Sequence, residues 1–465
     1  MKKIAIFVLV LLILISGYFI FGVYYTNKKI NAFFNHDNGV LYESAGLKWK
    51  LAESKTTLLE GNYKTEVSLD NKPFLVLEHE VVFGMRFNPF KIGSINTKGK
   101  IISSGNDEIP EILQQEFNVK SNVIVGGIDG SIVINGGNIS TYNIYSGEND
   151  NITWQNTKAD FFISFKRDKF NFDADIPLIK FEGAFGEFFV LEEQKYKSRS
   201  IKKEGLWMGN SDIAISKVEL SDKYSMNFLL SNLKINSNVD TGKSSTITNI
   251  NKISFGELKY SDIESAADVS FGDIVLNFNL ENLDLESMKK ITEAVQKIDP
   301  TNSNQASFVV LSLFGYMSNI LAKHPKITVE EFSGKYANQS AKMSGFVQYV
   351  GDGDLMNVYA NLNKDIDAKI DFEFMQEVLR KYFEQKTGTN YYGYDPEDDE
   401  AFQEALNEEI NLSIEAFEED TGMRPENGLY KGTLEFKRGD FFLNGRIYKS
   451  VTEYGSDFTE YNDNF

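Results

Sequence analysis

Asn227-Phe228-Leu229-Leu230-Ser231-Asn232-Leu233-Lys234-Ile235 recurs fifty residues later as Asn277-Phe278-Asn279-Leu280-Glu281-Asn282-Leu283-Asp284-Leu285, and Ser254-Phe255-Gly256-Glu257-Leu258 returns as Ser270-Phe271-Gly272-Asp273-Ile274. These segments are rich in strand formers and lie between turn residues, so each reads as a β-strand. Two copies of a nine-residue pattern fall short of a solenoid, and hydrophobic alternation alone produces such echoes; the repeat is weak. From Asn118 to about Asp284 strand follows strand: Ser121 to Val125, Ser131 to Ile134, Phe161 to Lys166, Lys169 to Asp175 and Leu178 to Phe181. Gly126-Gly127, Gly136-Gly137, Asn149-Asp150-Asn151 and Asp240 to Lys243 punctuate them. No helical period intervenes, which predicts an extended antiparallel meander rather than a βα fold.

Upstream, Leu47 to Leu51, Thr65 to Leu69 and Phe74 to Phe83 alternate with period two, and Leu75, Leu77, His79, Val81 and Phe83 share one face. His79 there reads as a hydrogen-bonded core residue. Asn106 to Phe117 is expected to be a short helix begun near Pro110. At Leu285 the period changes to 3.6: helices are expected over Leu285 to Ile298 and Gln305 to Lys323, the second covering a sheet. Strands follow at Ile327 to Phe332, Lys342 to Val350, Leu355 to Leu362 and Ile366 to Phe372. Then come a helix to Lys386, an acidic and aromatic loop from Thr387 to Asp399, and a helix from Glu400 to Glu419. A closing hairpin, Gly432 to Phe436 with Phe441 to Tyr448, turns at Lys437-Arg438-Gly439-Asp440.

At the other end, Ile4 to Tyr25 is 22 residues without a charge, flanked by Lys2-Lys3 and Lys28-Lys29. At ~1.5 Å per residue it is roughly 33 Å long, enough for a ~30 Å hydrocarbon core. Fifteen of the 22 are Leu, Ile, Val or Phe, supplying about −5 to −9 kcal/mol of insertion free energy. A cleaved signal would have a shorter apolar core and small residues where Tyr24 and Tyr25 stand, so a retained signal anchor is expected. Ile30 to Asn35 continues the helix and Asp37-Asn38-Gly39 stops it. Past Lys2 and Lys3 the chain holds 46 of the 48 basic residues against 67 acidic ones, a net of 46 − 67 = −21. With the expected strand content, this places the amino terminus in the cytoplasm and the body outside.

The 465 residues are 42% hydrophobic and 25% charged, a globular composition. The acid excess argues against nucleic acid as a partner. Zero cysteine removes thiolate chemistry and disulfides, and three histidines, His36, His79 and His324, leave little for a metal site or triad. Glu78 and Glu80 share a strand face, as solvated carboxylates do. Gly351-Asp352-Gly353-Asp354 lacks the length of a calcium loop and reads as a turn, Asp395 to Glu400 reads as a helix N-terminus, and Arg438-Gly439-Asp440 reads as a turn. No catalytic residue, metal ligand or cofactor site is assigned.

The span exit, Tyr25-Thr26-Asn27-Lys28-Lys29-Ile30, resembles that of the YdgA family, bacterial single-span inner-membrane proteins whose exported part is a domain of unknown function. The strand pair around Glu80 to Gly84 resembles the position of that family's His-Gly-Pro element, although Phe83-Gly84-Met85 stands there. Leu321 to Val329 with Pro325, Asp367-Ala368-Lys369-Ile370 and Leu443-Asn444-Gly445 follow in the same order. The resemblance implies an inner-membrane anchor, a periplasmic body and self-association, a homodimer being one form, and no known activity.

The expected fold is α+β, mainly antiparallel β: a transmembrane helix and then a large curved sheet with a few packed helices. The expected division is a cytoplasmic N-terminus (1–3), signal anchor (4–25), exit helix and linker (26–45), β-rich region (46–284), α+β region (285–450) and acidic tail (451–465). A non-enzymatic binding or scaffold protein is the first functional expectation. A lipid-binding or lipid-transfer protein with an apolar β groove is the second, and a hydrolase working with carboxylates alone is the third.

Overall fold

The computed structural model describes residues 23–44, 47–69, 72–84, 91–102, 117–222, 226–241, 245–262, 267–296, 315–353, 364–388 and 400–450. Residues 4–22 of the expected span lie outside this set, as do residues 103–116, 355–362, 389–399 and 451–465, on which other expected elements fall. Among the described residues no helix is long and apolar enough to cross a membrane.

Twenty-two strands among the described residues join one antiparallel sheet. They are β1 (Val40–Ser44), β2 (Leu47–Thr56), β3 (Glu60–Leu69), β4 (Lys72–Phe83), β5 (Lys91–Ile101), β6 (Phe117–Ile124), β7 (Gly127–Ile134), β8 (Gly137–Tyr142), β9 (Asn149–Trp154), β10 (Thr157–Ser164) and β11 (Lys169–Glu182). After them come β12 (Phe188–Lys203), β13 (Leu206–Ser221), β14 (Met226–Thr241), β15 (Thr246–Asp262), β16 (Ala267–Asp284), β17 (Lys326–Tyr336), β18 (Gln339–Tyr349), β19 (Ile366–Met375), β20 (Leu429–Lys437), β21 (Asp440–Leu443) and β22 (Arg446–Ser450). Nearly every strand pairs with its neighbours in sequence, as the meander reading predicts. The exception is the β8–β9 hairpin: β11 takes β10 along Lys158–Asp175 to Ile163–Phe170 and β9 along Ile179–Trp154 to Glu182–Asn151, while β10 also pairs with β7. The ladder continues from β16 to β17, so it joins strands on either side of the change of period at Leu285.

That change of period is real. A helix occupies Leu285–Gln296, capped where the Asp284 carboxylate accepts from the Ser287 backbone N–H (2.8 Å) and hydroxyl (2.7 Å). Leu285 and Met288 pack on Leu206, Met208 and Ile247. Of the expected Gln305 to Lys323 helix, residues 315–321 are helical. Phe117, the expected end of a helix, is the first residue of β6, where it pairs with Gly99. The expected strand Phe441 to Tyr448 is two strands: Asn444 (φ 50°) and Gly445 (φ 76°) occupy the left-handed region and fold it into the β21–β22 hairpin. Arg438 (φ 54°) and Gly439 (φ 90°) turn β20 into β21 in the same way.

The first eight strands along the ladder, β1 to β7 and β10, curl around a helix formed by residues 23–34. Its Val23, Ile30, Phe33 and Phe34 are buried with Leu41, Tyr63, Val81, Phe83, Ile92, Ile95, Val123 and Ile128, and Phe161, Ile163 and Phe165 complete the cluster. Burying four such side chains is worth about 6 to 12 kcal/mol as an upper figure. Polar ties fix the helix in register. Thr26 Oγ1 donates to the Ile92 carbonyl (2.7 Å), and Tyr63 OH donates to Asn31 Oδ1 (2.8 Å). Asn27 Nδ2 reaches the Thr57 carbonyl (2.9 Å). Arg167, in the β10–β11 turn, donates to the carbonyls of Phe33, Val40 and Leu41 and lies over the Phe33 ring, so β10 and the edge strand β1 meet around the helix.

Candidate functional site

From β11 onward the strands lengthen to 14 to 18 residues through β16, and the sheet has an unlike pair of faces. One row of the ladder runs Ala174, Tyr196, Ile213, Ile235, Ile253, Leu276, Phe332, Met343 and Phe372, each directly opposite the next. Backward, the same row passes through Ala159, Ile132, Val119, Thr97 and His79 to Tyr63 under the N-terminal helix. The row therefore marks the helix side, the inner face.

Nearer the other strand ends a second row runs Ile179, Leu191, Val218, Leu230, Leu258, Phe271 and Tyr336. Simple alternation would put it on the opposite face, because Ile215 to Val218, Leu233 to Leu230 and Phe255 to Leu258 are steps of three. The pairing decides otherwise. Phe332 and Tyr336 are four apart on an unshifted part of β17, so they share a face; Leu276 lies opposite the first and Phe271 opposite the second. β16 gains the extra residue between Gly272 and Val275, where the register shifts and Asp273 has φ 49°. Glu193 (φ 49°) in β12 and Asn232 (φ 55°) in β14 lie at the same level, a crease of bulge-like residues running across the strands. The crease holds both apolar rows on one face.

The opposite, outer face carries the charge. Lys158–Asp160, Asp173–Arg199, Lys180–Glu182, Lys217–Glu219, Glu257–Lys259, Lys335–Asp273 and Lys342–Glu373–Lys431 all project there. These exposed pairs contribute about 0 to 1 kcal/mol each, but they leave the inner face of these strands without an ion pair among the described residues.

The inner face is covered at its two ends and, beside Val239 on β14, by the helix Leu285–Gln296. Residues 23–34 cover one end; at the other, helices Gln376–Gly388 and Glu400–Thr421 supply Leu379 and Phe417 to a cluster with Phe372, Phe374, Met423, Tyr430, Leu434 and Leu443. Tyr430, fully buried, donates to Glu418 Oε1 (2.6 Å), and burial with the adjacent carboxylate raises its phenol pKa. Between the ends, Tyr196, Ile213, Ile235, Ile253 and Leu276 belong to no buried cluster. On β17 and β18 the face is open: Ile327 opposite Val347 and Phe332 opposite Met343 are 46, 42, 37 and 37% exposed. Apolar rows left open on this scale make this face the candidate site.

Two residues along from the first row the same face carries Ser198, Ser211, Ser237 and Asn251, each opposite the next, and between the two rows it carries a buried amide. Gln194, opposite Ile176, is 4% exposed. Its Oε1 accepts from Tyr196 OH (3.1 Å), while its Nε2 makes no hydrogen bond among the described residues. An unmet buried amide donor costs about 1 to 3 kcal/mol.

The residues singled out in the sequence lie elsewhere. His79 is 6% exposed under Phe34, between Thr65 Oγ1 (2.9 Å from Nε2) and Thr97 Oγ1 (2.8 Å from Nδ1), the hydrogen-bonded core residue expected. Trp49 Nε1 also donates to Thr65 Oγ1 (2.8 Å), which joins indole, threonine and imidazole in one buried network. Burial pushes the imidazole from 6.5 down to about 4. Glu78 and Glu80 are exposed, with Glu78 between Lys64 and Lys98 on the adjacent strands. Gly353, a turn residue at φ 81°, is held by Ser318 Oγ and Tyr349 OH; Asp354 lies outside the described residues. His324 ends residues 315–321 at φ 54°, and Phe83 and Gly84 are core and turn. Among the described residues no group of three His, Asp or Glu could hold a metal. The inner rows, Gln194 and Arg167 went unnoticed in the sequence; the three-residue steps between apolar positions were the available signal for the first.

Fold and face define a class: a mainly antiparallel β protein built on one open sheet, charged outside and apolar inside. The sequence pattern of the family described as "Bacterial protein of unknown function (DUF945)" matches residues 114–448, well over half of the chain, and the chain belongs to that family. Neither a curated protein nor a solved structure matches it.

Proposed function

We propose that this is a non-enzymatic binding protein of the bacterial inner (cytoplasmic) membrane, anchored by the uncharged run that starts at Ile4, whose last residues from Val23 on belong to the core of the sheet instead of the span, with its body in the periplasm, and a relative of the YdgA proteins within its family. The observation that carries the binding role is the apolar inner face between β11 and β18, which spans seven or more strands and ends in four exposed side chains. Its partner is apolar, because the face offers no ion pair to a charged one. The anchor reading rests on the uncharged run that leads into residues 23–34, which lie on that same face.

Two measurements test this. Alkaline extraction of membranes with protease protection in spheroplasts is expected to leave the chain in the membrane with its body accessible from outside; release by alkali would overturn the anchor. A photoreactive amino acid placed at Phe332 or Val347 is expected to crosslink in cells, and one at Lys252, exposed on the outer face, is not. Equal labelling from both faces would remove the inner face as the site.

A further inference from the structure

We infer that the inner face holds the acyl chains of an esterified bilayer lipid, with the Gln194 carboxamide donating to an ester carbonyl. The inference rests on the binding role proposed for that face. Tyr196 OH already donates to Gln194 Oε1, whereas the amide N–H groups have no acceptor, so what the residue lacks is an acceptor from its ligand. That acceptor is neutral: the ion pairs of these strands are on the outer face, and a buried carboxylate or phosphate would lie beside Ile176 and Tyr196 without a cation. An ester carbonyl meets this requirement, and the charged headgroup stays in solvent.

The dimensions agree. From Ala174 to Phe332 the row crosses seven strands, about 29 Å at ~4.8 Å per step. One leaflet's acyl chains fill half of a ~30 Å hydrocarbon core, about 15 Å, so a chain lying across the strands fits within the row. Exposed Ile327, Phe332, Met343 and Val347 form the open end by which it would enter.

The test uses full-length protein, purified in detergent, delipidated and incubated with phosphatidylethanolamine and phosphatidylglycerol vesicles, then read by native mass spectrometry for bound lipid and subunit number. Wild type is expected to retain ester-linked lipid about tenfold better than the dialkyl ether analogue, the difference one neutral hydrogen bond makes. Gln194→Leu, which keeps the volume, is expected to lose that preference and to bind both at the lower level. Val347→Glu with Phe332→Glu, at exposed positions, is expected to abolish retention of both while circular dichroism stays unchanged. Equal retention of ester and ether lipid by wild type, an unaffected Gln194→Leu variant, or palmitate held as tightly as the phospholipid would each overturn the inference. Dimers held through this face without lipid would also overturn it. If photoreactive Phe332 or Val347 crosslinks to protein while no lipid is retained, the lipid assignment fails and the binding face stands; if neither occurs, both fail.

Discussion

Acidification should destabilise the N-terminal part of the sheet through His79. The unfolded imidazole takes a proton below about 6.5, whereas the buried one resists until about 4. Between these values the unfolded chain holds more protons, so stability is complete above pH 6.5, falls as the pH drops toward 4, and changes no further through this group below that. The full shift from 6.5 to about 4 is worth about 3 kcal/mol. About 2 kcal/mol of it falls between pH 7 and 4.5. The physical cause is the site itself: a 6% exposed ring under Phe34, with hydroxyl partners but no carboxylate to stabilise an imidazolium. Trp49, bonded to Thr65 in the same network, is the reporter once Trp154 and Trp207 are changed to Phe. Urea unfolding of the full chain in mild detergent, followed by Trp49 fluorescence at pH 7 and 4.5, should show that loss in the parent and not in His79→Gln, which cannot titrate. Since every carboxylate contributes equally to both, parallel pH slopes within about 0.5 kcal/mol would refute the reasoning.

Three further outcomes follow from the packing. Arg167→Ala removes donors to three carbonyls and should cost about 1.5 to 3 kcal/mol, seen as faster proteolysis within residues 35–44; an unchanged digestion rate would discard the closure around the helix. Tyr430→Phe leaves Glu418 to Arg424 alone and should lower stability by about 1 to 2 kcal/mol by denaturant titration. At the crease, Asn232→Gly should be neutral or slightly stabilising and Asn232→Val should cost about 1 to 3 kcal/mol, because a β-branched residue resists φ 55°. Equal melting temperatures for the two would mean that the left-handed residue is not needed there.

Much of the strand order was legible because the signal is local. Turn residues and alternation mark β-strands wherever they fall, and a meander needs only that each strand meet the next. His79 was legible as a core residue for the same reason, since Val81 and Phe83 share its face. Phe117 misled because Pro110 and the acidic run before it resemble a helix start, whereas cross-strand pairing with Gly99 fixes that residue in β6. Phe441 to Tyr448 misled because alternation persists through Asn444-Gly445, and only the turn's positive φ values break it.

The echoed segments tell the most. Asn227 is level with Asp268, not with Asn277, so the copies are not structural repeats. What they share is a left-handed asparagine, Asn232 and Asn282, and the second echo brings Gly256 and Asp273 to the crease. Sequence alone set the uncharged N-terminal run, most of the strands and, outside the β8–β9 hairpin, their order, because these depend on residues near one another in the chain. Only the tertiary structure decided that two apolar rows out of phase in the sequence share one face. That depends on left-handed residues and register shifts, which exist only once neighbouring strands have paired.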